Sequence, residues 1–207
     1  MSFFVREKGK LMCKFSEDSR QKLGNAVIYI ANHTEQLSKT KLLKLLFLME
    51  EYMVKRYHVP FMGLPFEIWQ AGPVAKRYFH RFVRRPFPVE RFCKTEVQKD
   101  ATYIRAIKPF CDDEFSDCEM EMMDEIIRKY GKKTAKQLVA EVHKEGSLWF
   151  NAAKKHGLLT AFNKGLCNNS DYTIDFSEEL SDCAREDYKE SLAIHQTANI
   201  LKAQGYV

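Results

Sequence analysis

The stretch "KTKLLKLLFLMEEYMVKRYH", residues 39–58, decides the fold of this 207-residue chain. Ser38 stands directly before it, and serine is a favoured residue at the N-cap of a helix. A helix that is apolar on nearly all sides is buried on all sides. We therefore predict a mainly α fold, a compact helical domain around this buried central helix. The apolar residues that cover its circumference are Leu42, Leu43, Leu45, Leu46, Phe47, Leu48, Met49, Tyr52 and Met53.

Capping residues predict further helices on both sides of the central one. Ser16 opens a helix that runs to about residue 32. Ser116 and Glu119 have the spacing of a capping box, and Gly131 follows the helix that they open. The rest of the prediction is a capping box at Thr134 and Gln137 with a stop at Gly146, a short helix from Ser147 to Gly157, a loop with a short strand at 172–176, and a final helix from Ser177 to about Lys202.

A small β-hairpin element is predicted within residues 90–110. The runs "RFCKTEVQ" and "TYIRAIKP" are rich in residues that favour strands, and "KDA" between them favours a turn. The length of the chain suits one domain, so we expect residues 1–207 to form a single domain.

No catalytic or metal-binding motif stands out in the sequence. The six histidines lack the H-x-x-x-H spacing of a metal site, and no cysteine pair has C-x-x-C spacing. The glycines are spread singly, which argues against a phosphate-binding loop, and no serine or cysteine lies in a Gly-flanked elbow. We therefore expect no metal, no cofactor and no enzymatic activity, although a site assembled only in three dimensions would escape this test.

The composition predicts a cytoplasmic protein. No apolar run approaches the ~20 residues that a membrane-spanning helix needs, and the first ten residues, "MSFFVREKGK", lack the pattern of a signal peptide. We expect the six cysteines to be free thiols. The net charge of +5 does not by itself indicate a nucleic-acid partner.

The segment "LPFEIWQAGPVAKRYF", residues 64–79, is too angular and too aromatic for a passive linker. Pro65 and Pro73 fix the backbone and Gly72 permits an unusual backbone angle, so we predict a required bend at Gly72 and Pro73. Phe66 is expected to fill the core. Trp69, like Trp149 further along the chain, is expected to be mainly structural.

A basic surface is predicted on the helix that follows, from Val74 to Arg85. At 100° per residue, its apolar and basic side chains fall on opposite arcs. Such a basic arc could contact an acidic protein or a phosphate backbone, or it could be an ordinary solvated face. The residues that we predict to bind the partner are Lys76, Arg77, Arg81, Arg84 and Arg85.

Two blocks of the sequence resemble the Panacea domain, the SocA-like antitoxin family that also includes phage-associated proteins. Residues 37–79 carry the first block and residues 130–153 the second, and the resemblance spans roughly residues 20–155. The matching residues are Lys41, Leu42, Lys44, Leu45, Leu46, Phe66, Trp69, Gly72, Pro73 and Val74 in the first block, and Tyr130, Gly131, Leu138, His143 and Trp149 in the second.

The resemblance implies a binding protein with a mainly helical fold and a small β element. Residues 20–155 would form the Panacea-like core, and residues 156–207 a C-terminal loop and helical extension. The function implied is that of an antitoxin that neutralises a cognate toxin by direct contact, with an ATP-dependent protease as a further partner if it acts as a proteolytic adaptor. The alternative is a nucleic-acid-binding regulator that uses the basic helix 74–85. The oligomeric state is left open.

Overall fold

Helix α2 (Lys39–Tyr57) occupies the centre of the fold, as the sequence predicts. Every residue from Lys41 to Glu50 is buried, on all sides of the helix. The hydroxyl of Ser38 accepts a hydrogen bond of 3.2 Å from the Lys41 amide and so caps the first turn. Around α2, the residues that the structure describes form a mainly helical structure with two small antiparallel hairpins.

The computed structural model describes residues 16–76, 89–98 and 101–206. Within these ranges, the elements besides α2 are, in chain order, α1 (Glu17–His33), β1 (Glu67–Trp69), β2 (Gly72–Val74), β3 (Cys93–Gln98), β4 (Ala101–Ala106), α3 (Asp117–Tyr130), α4 (Ala135–Val142), α5 (Leu148–Lys155), α6 (Leu158–Asn163) and α7 (Asp182–Gln204). Helices α3 and α4 and strands β2 and β4 pack against α2.

The hairpin within residues 90–110 is confirmed, as are the helix starts predicted at Ser16, Ser116, Thr134 and Ser147. Ser16 caps α1, and complete capping boxes open α3 at Ser116 and α4 at Thr134. In each box the cap hydroxyl accepts from the N3 amide while the N3 side chain accepts from the cap amide. Strands β3 and β4 pair antiparallel from Cys93 with Ala106 to Gln98 with Ala101. Short-range hydrogen bonding sets these features, so a local pattern suffices to predict them.

Two predictions for the last fifty residues are wrong in part. The predicted loop after Gly157 contains helix α6, whose side chains Leu158 and Phe162 lie one turn apart and are both buried. The final helix begins at Asp182, capped by Ser181, instead of at Ser177. The hydroxyl of Ser177 donates to the Asp175 side chain at 2.7 Å in a turn, which uses the group that would have capped the helix.

Other element boundaries also differ from the prediction. Helix α4 ends at Val142, because His143 takes the C-cap position, and Gly146 lies in the following turn. Val74 belongs to strand β2 instead of opening a helix. A full strand at 172–176 is not formed, and Thr173 makes a single antiparallel bridge to Glu67. The remainder of the predicted helix 74–85, from residue 77 onward, lies outside the described residues.

The C-terminal segment packs into the same core as the central helix. The ring centroid of Phe176 lies 5.4 Å from that of Phe47 on α2 and 6.0 Å from that of Phe66. Ile174 and Tyr188 are buried in the same cluster. In the part of the chain that the structure describes, no helix is both long and apolar enough to cross a membrane.

Replacing Phe176 by alanine should destabilise the whole protein. Large-to-small substitutions of buried Phe cost about 3–5 kcal/mol, because apolar contacts are lost and a cavity remains. Denaturant titration of Phe176→Ala should therefore show one transition at a lower midpoint. Ile107→Ala, at a half-exposed position on the surface, is the control and should stay within about 0.5 kcal/mol of wild type. A separate early transition in Phe176→Ala would contradict a shared core.

Candidate partner-binding site

The segment predicted as a bend is a tight β-hairpin. Strand β1 pairs antiparallel with β2, with Ile68 opposite Pro73 and Trp69 opposite Gly72. Residues 70–71 form the turn between them. The bend predicted at Gly72 and Pro73 is therefore wrong, since both residues lie in β2 and the chain reverses just before them. The unusual backbone angle predicted for Gly72 is confirmed, because its φ is 92°, a value that side-chain-bearing residues rarely adopt.

A buried lysine of the central helix holds this hairpin in place. The Lys44 ammonium donates a hydrogen bond of 2.9 Å to the carbonyl oxygen of Pro73, and the residue is only 1% exposed. A Cβ at Gly72 would lie 2.8 Å from Lys44 Cε and 3.1 Å from Val142 Cγ2. The hairpin backbone thus reaches the lysine only because residue 72 has no side chain.

The surroundings of Lys44 favour its neutral form. Burial lowers the pKa of Lys44 from its ordinary value of 10.5 to about 7. His143, at the end of α4, has a pKa lowered to about 4, first by burial and then by the nearby Lys44 charge. Its Nε2 atom is buried and has no hydrogen-bond partner among the described residues. Lys44 and His143 are therefore two neighbouring basic groups whose neutral forms are favoured by burial next to the hairpin.

A hydrogen bond joins the two tryptophans where the hairpin contacts α5. Trp149 on α5 is buried, and its Nε1 donates to the Trp69 carbonyl oxygen at 3.2 Å. The Trp149 ring contacts the His143 ring, with centroids 3.8 Å apart and the ring planes tilted by 35°. Trp69 is half-buried, and its Nε1 donates to the Glu67 carboxylate at 3.0 Å. These contacts are those that a structural role requires; the role itself stays a prediction.

Two more buried charges on α2 hold other segments of backbone. The Lys41 ammonium donates to the Gly131 carbonyl at the end of α3 at 2.7 Å. The Glu50 carboxylate accepts hydrogen bonds from the amides of Phe61, Met62 and Gly63 at 2.9–3.1 Å. Burial raises the pKa of Glu50 to about 7, against the lowering effect of those amides. Sequence reasoning missed Glu50, although an acid in so apolar a helix was a signal.

A loop after α6 is hydrogen-bonded to the hairpin. Four hydrogen bonds join residues 168–174 to the segment 66–70, at 2.7–3.0 Å: Ile68 N to Tyr172 O, Gln70 N to Asn168 O, Ile174 N to Phe66 O, and Ser170 Oγ to Ile68 O. We call residues 164–173 the hairpin loop. The sequence did not indicate this contact, because it joins backbone groups a hundred residues apart.

Lys76 is the one predicted partner-binding residue that the structure describes. Its ammonium lies 2.9 Å from Asp171 on the hairpin loop and 3.8 Å from Glu67 on β1. The hydrogen bond with Asp171 raises the pKa of Lys76. Its side chain remains 40% exposed, at the edge of the hairpin. The other members of the predicted set, Arg77, Arg81, Arg84 and Arg85, lie outside the described residues.

Groups that could carry chemistry are scattered in the described parts of the chain. No set of three or more His, Cys, Asp or Glu side chains there is placed to hold a metal ion. Five cysteines in those parts are free thiols: Cys93, Cys111, Cys118, Cys167 and Cys183.

The protein is a mainly helical domain in which the buried helix α2 holds the short hairpin β1–β2 through Lys44. The chain belongs to the family described as antitoxin SocA-like, Panacea domain, whose model matches residues 42–150, more than half of its length. The matched region contains most of α2, the hairpin β1–β2 and Trp149. No curated protein and no solved structure matches the chain.

Lys44→Met should remove a pH dependence from the stability of the protein. Because the folded-state pKa of Lys44 is lowered to about 7, the unfolded chain binds more protons at this residue between pH 7 and 10.5. Through this group, the free energy of unfolding therefore rises with pH across that window. The wild-type value minus the Lys44→Met value, from denaturant titrations at several pH values, should rise from pH 7 to pH 10.

Lys132→Met provides the matched control for this experiment, because Lys132 is exposed on the surface. Its difference from wild type should stay flat over the same range. A flat difference for Lys44→Met would show that folding does not lower the pKa of Lys44 and would contradict the effect of its burial.

Proposed function

We propose that this protein is an antitoxin that neutralises a cognate toxin by direct protein–protein contact. The observation that carries the proposal is membership of the SocA-like antitoxin family over residues 42–150. We also propose that residues 1–207 act as one domain, with residues 20–155 as the family core. The packing of Phe176 against Phe47 supports this, since it joins the C-terminal segment to the central helix.

The basic arc is the proposed toxin-binding surface. It begins at Lys76, at the end of the hairpin, and continues in the sequence through Arg77, Arg81, Arg84 and Arg85 with no acidic residue before Glu90. Clustered charges of one sign mainly raise the association rate and the specificity for a partner of opposite charge. An acidic face on the toxin would fit such a surface.

The experiment uses the product of the neighbouring open reading frame as the candidate toxin. Expression of that product alone should stop growth, and co-expression of this protein should restore it. The two purified proteins should form a complex on size-exclusion chromatography. Harmless expression of the neighbour, or restored growth without a complex, would overturn direct neutralisation. A shorter toxin half-life that depends on an ATP-dependent protease would identify the adaptor mode of action.

Changing Arg77, Arg81 and Arg84 together to Gln should weaken protection without unfolding the protein. Isolated surface charges contribute little to stability, so the melting temperature should stay near that of wild type. Complex formation at low salt should fall by about tenfold or more, as when roughly 1.4 kcal/mol of binding free energy is lost. The measurements are a thermal melt, a binding isotherm at two salt concentrations and the growth assay.

The control variant carries Arg128, Lys132 and Lys136 changed to Gln, which removes the same charge from exposed positions at the end of α3 and the start of α4. It should protect as wild type does. Full protection by the variant at 77, 81 and 84 would show that the arc is only solvated surface. Salt-dependent binding of DNA or RNA by wild type, lost in that variant, would favour the nucleic-acid-binding regulator instead.

A further inference from the structure

Two large apolar side chains of the hairpin loop project into water. Leu166 is 75% exposed and Tyr172 is 52% exposed. Single exposed apolar residues are common on protein surfaces and need no explanation. Two of them on one short loop, next to the hairpin of the family match, raise the question of what covers them.

The exposure of these side chains does not result from a loose loop, because the hairpin loop is held by several contacts. The carbonyl oxygens of Tyr172 and Asn168 accept hydrogen bonds from the amides of Ile68 in β1 and Gln70 in the hairpin turn. The ion pair of Asp171 with Lys76 joins the loop to the segment that follows β2. The Tyr172 ring stacks on His156 at a centroid distance of 4.1 Å and an interplanar angle of 18°. A contact surface held in this way binds a partner at a smaller cost in conformational entropy.

Two lysines flank the loop. Lys154 at the end of α5 and Lys164 at the end of α6 are both exposed, and neither forms an ion pair within the described residues. Lys76 stands at the hairpin edge, where Asp171 offsets its charge. The sequence then continues from Lys76 into the basic arc. The loop thus has an apolar part flanked by Lys154 and Lys164, which is complementary to an apolar surface with acidic side chains at its edge.

The position of the loop in the chain also matters. The family model ends at residue 150, so residues 164–173 lie outside the matched region but are bonded to a hairpin inside it. Contacts made by this loop are therefore additional to those that the matched region provides. Tyrosine is enriched among the residues that dominate binding energy in protein interfaces.

We propose that the hairpin loop supplies the apolar centre of the toxin-binding surface, with Leu166 and Tyr172 as the main contacts. The occupant is the cognate toxin, through an apolar patch surrounded by acidic side chains. This inference rests on the proposed function and extends it, because it places the strongest contacts on the loop and leaves to the basic arc the role of attracting the toxin.

The test compares two double variants in binding to the purified neighbouring gene product. Leu166→Ser with Tyr172→Ser should raise the Kd at least tenfold, with a melting temperature close to that of wild type. Val97→Ser with Ile107→Ser is the matched control, because both residues are exposed, at 78% and 52%, on the other hairpin and its end. It should change the Kd by less than threefold.

A third variant tests the chemistry of the occupant. Lys154→Gln with Lys164→Gln should lower the association rate severalfold at low ionic strength, and the difference should vanish at high salt. An association rate equal to that of wild type at low salt would contradict an acidic rim on the toxin.

The outcomes separate this inference from the proposed function. If the wild-type protein neither binds the neighbour nor restores growth, the proposed function fails. If the wild type binds and the variant of Leu166 and Tyr172 binds within threefold of it, the inference alone fails. It also fails if the control variant loses binding as strongly, or if the wild type alone is a dimer that this loop variant converts to a monomer.

Discussion

A helix buried on every side has nowhere to put a charge except against other parts of the protein, and this constraint organises the structure. A buried charged or polar group is costly unless it is hydrogen-bonded. The central helix meets that requirement by directing Lys44, Lys41 and Glu50 to backbone groups of three separate segments. Each contact holds a piece of chain that lacks the internal hydrogen bonding of a long helix. The contact of Lys44 with Pro73 is the one on which the proposed site depends.

From that contact the arrangement extends outward in steps. Lys44 fixes strand β2, β2 pairs with β1, and β1 binds the hairpin loop through backbone hydrogen bonds. Trp149 supports the same hairpin from α5 through the Trp69 carbonyl. Removing one partner of such a buried hydrogen bond leaves the other unsatisfied, at a cost of about 1–3 kcal/mol. The order of the proposed partner-binding surface is therefore expected to depend on the buried lysine that holds the hairpin.

The sequence predicted those features that local interactions decide. The caps at Ser38 and Ser116 and the hairpin from Cys93 depend on neighbouring residues, and they are confirmed. The hairpin at 67–74 was missed because its Gly-Pro pair argues against a strand, and because the lysine that holds it comes from a distant helix. The resemblance singled out Lys44 but gave no physical reason for it. The contact of the hairpin loop with β1 joins distant backbone groups, which no local pattern indicates.

Hydrogen exchange of the free and toxin-bound protein, followed by mass spectrometry, tests most directly whether this hairpin is the partner-binding surface. The account predicts that binding slows exchange in peptides covering residues 67–76 and 164–174. Exchange over the acidic segments 112–125 and 178–190 should stay unchanged. Slower exchange confined to those acidic segments, with the hairpin and its loop unaffected, would contradict the account. It would show that the toxin binds the acidic segments instead of the hairpin.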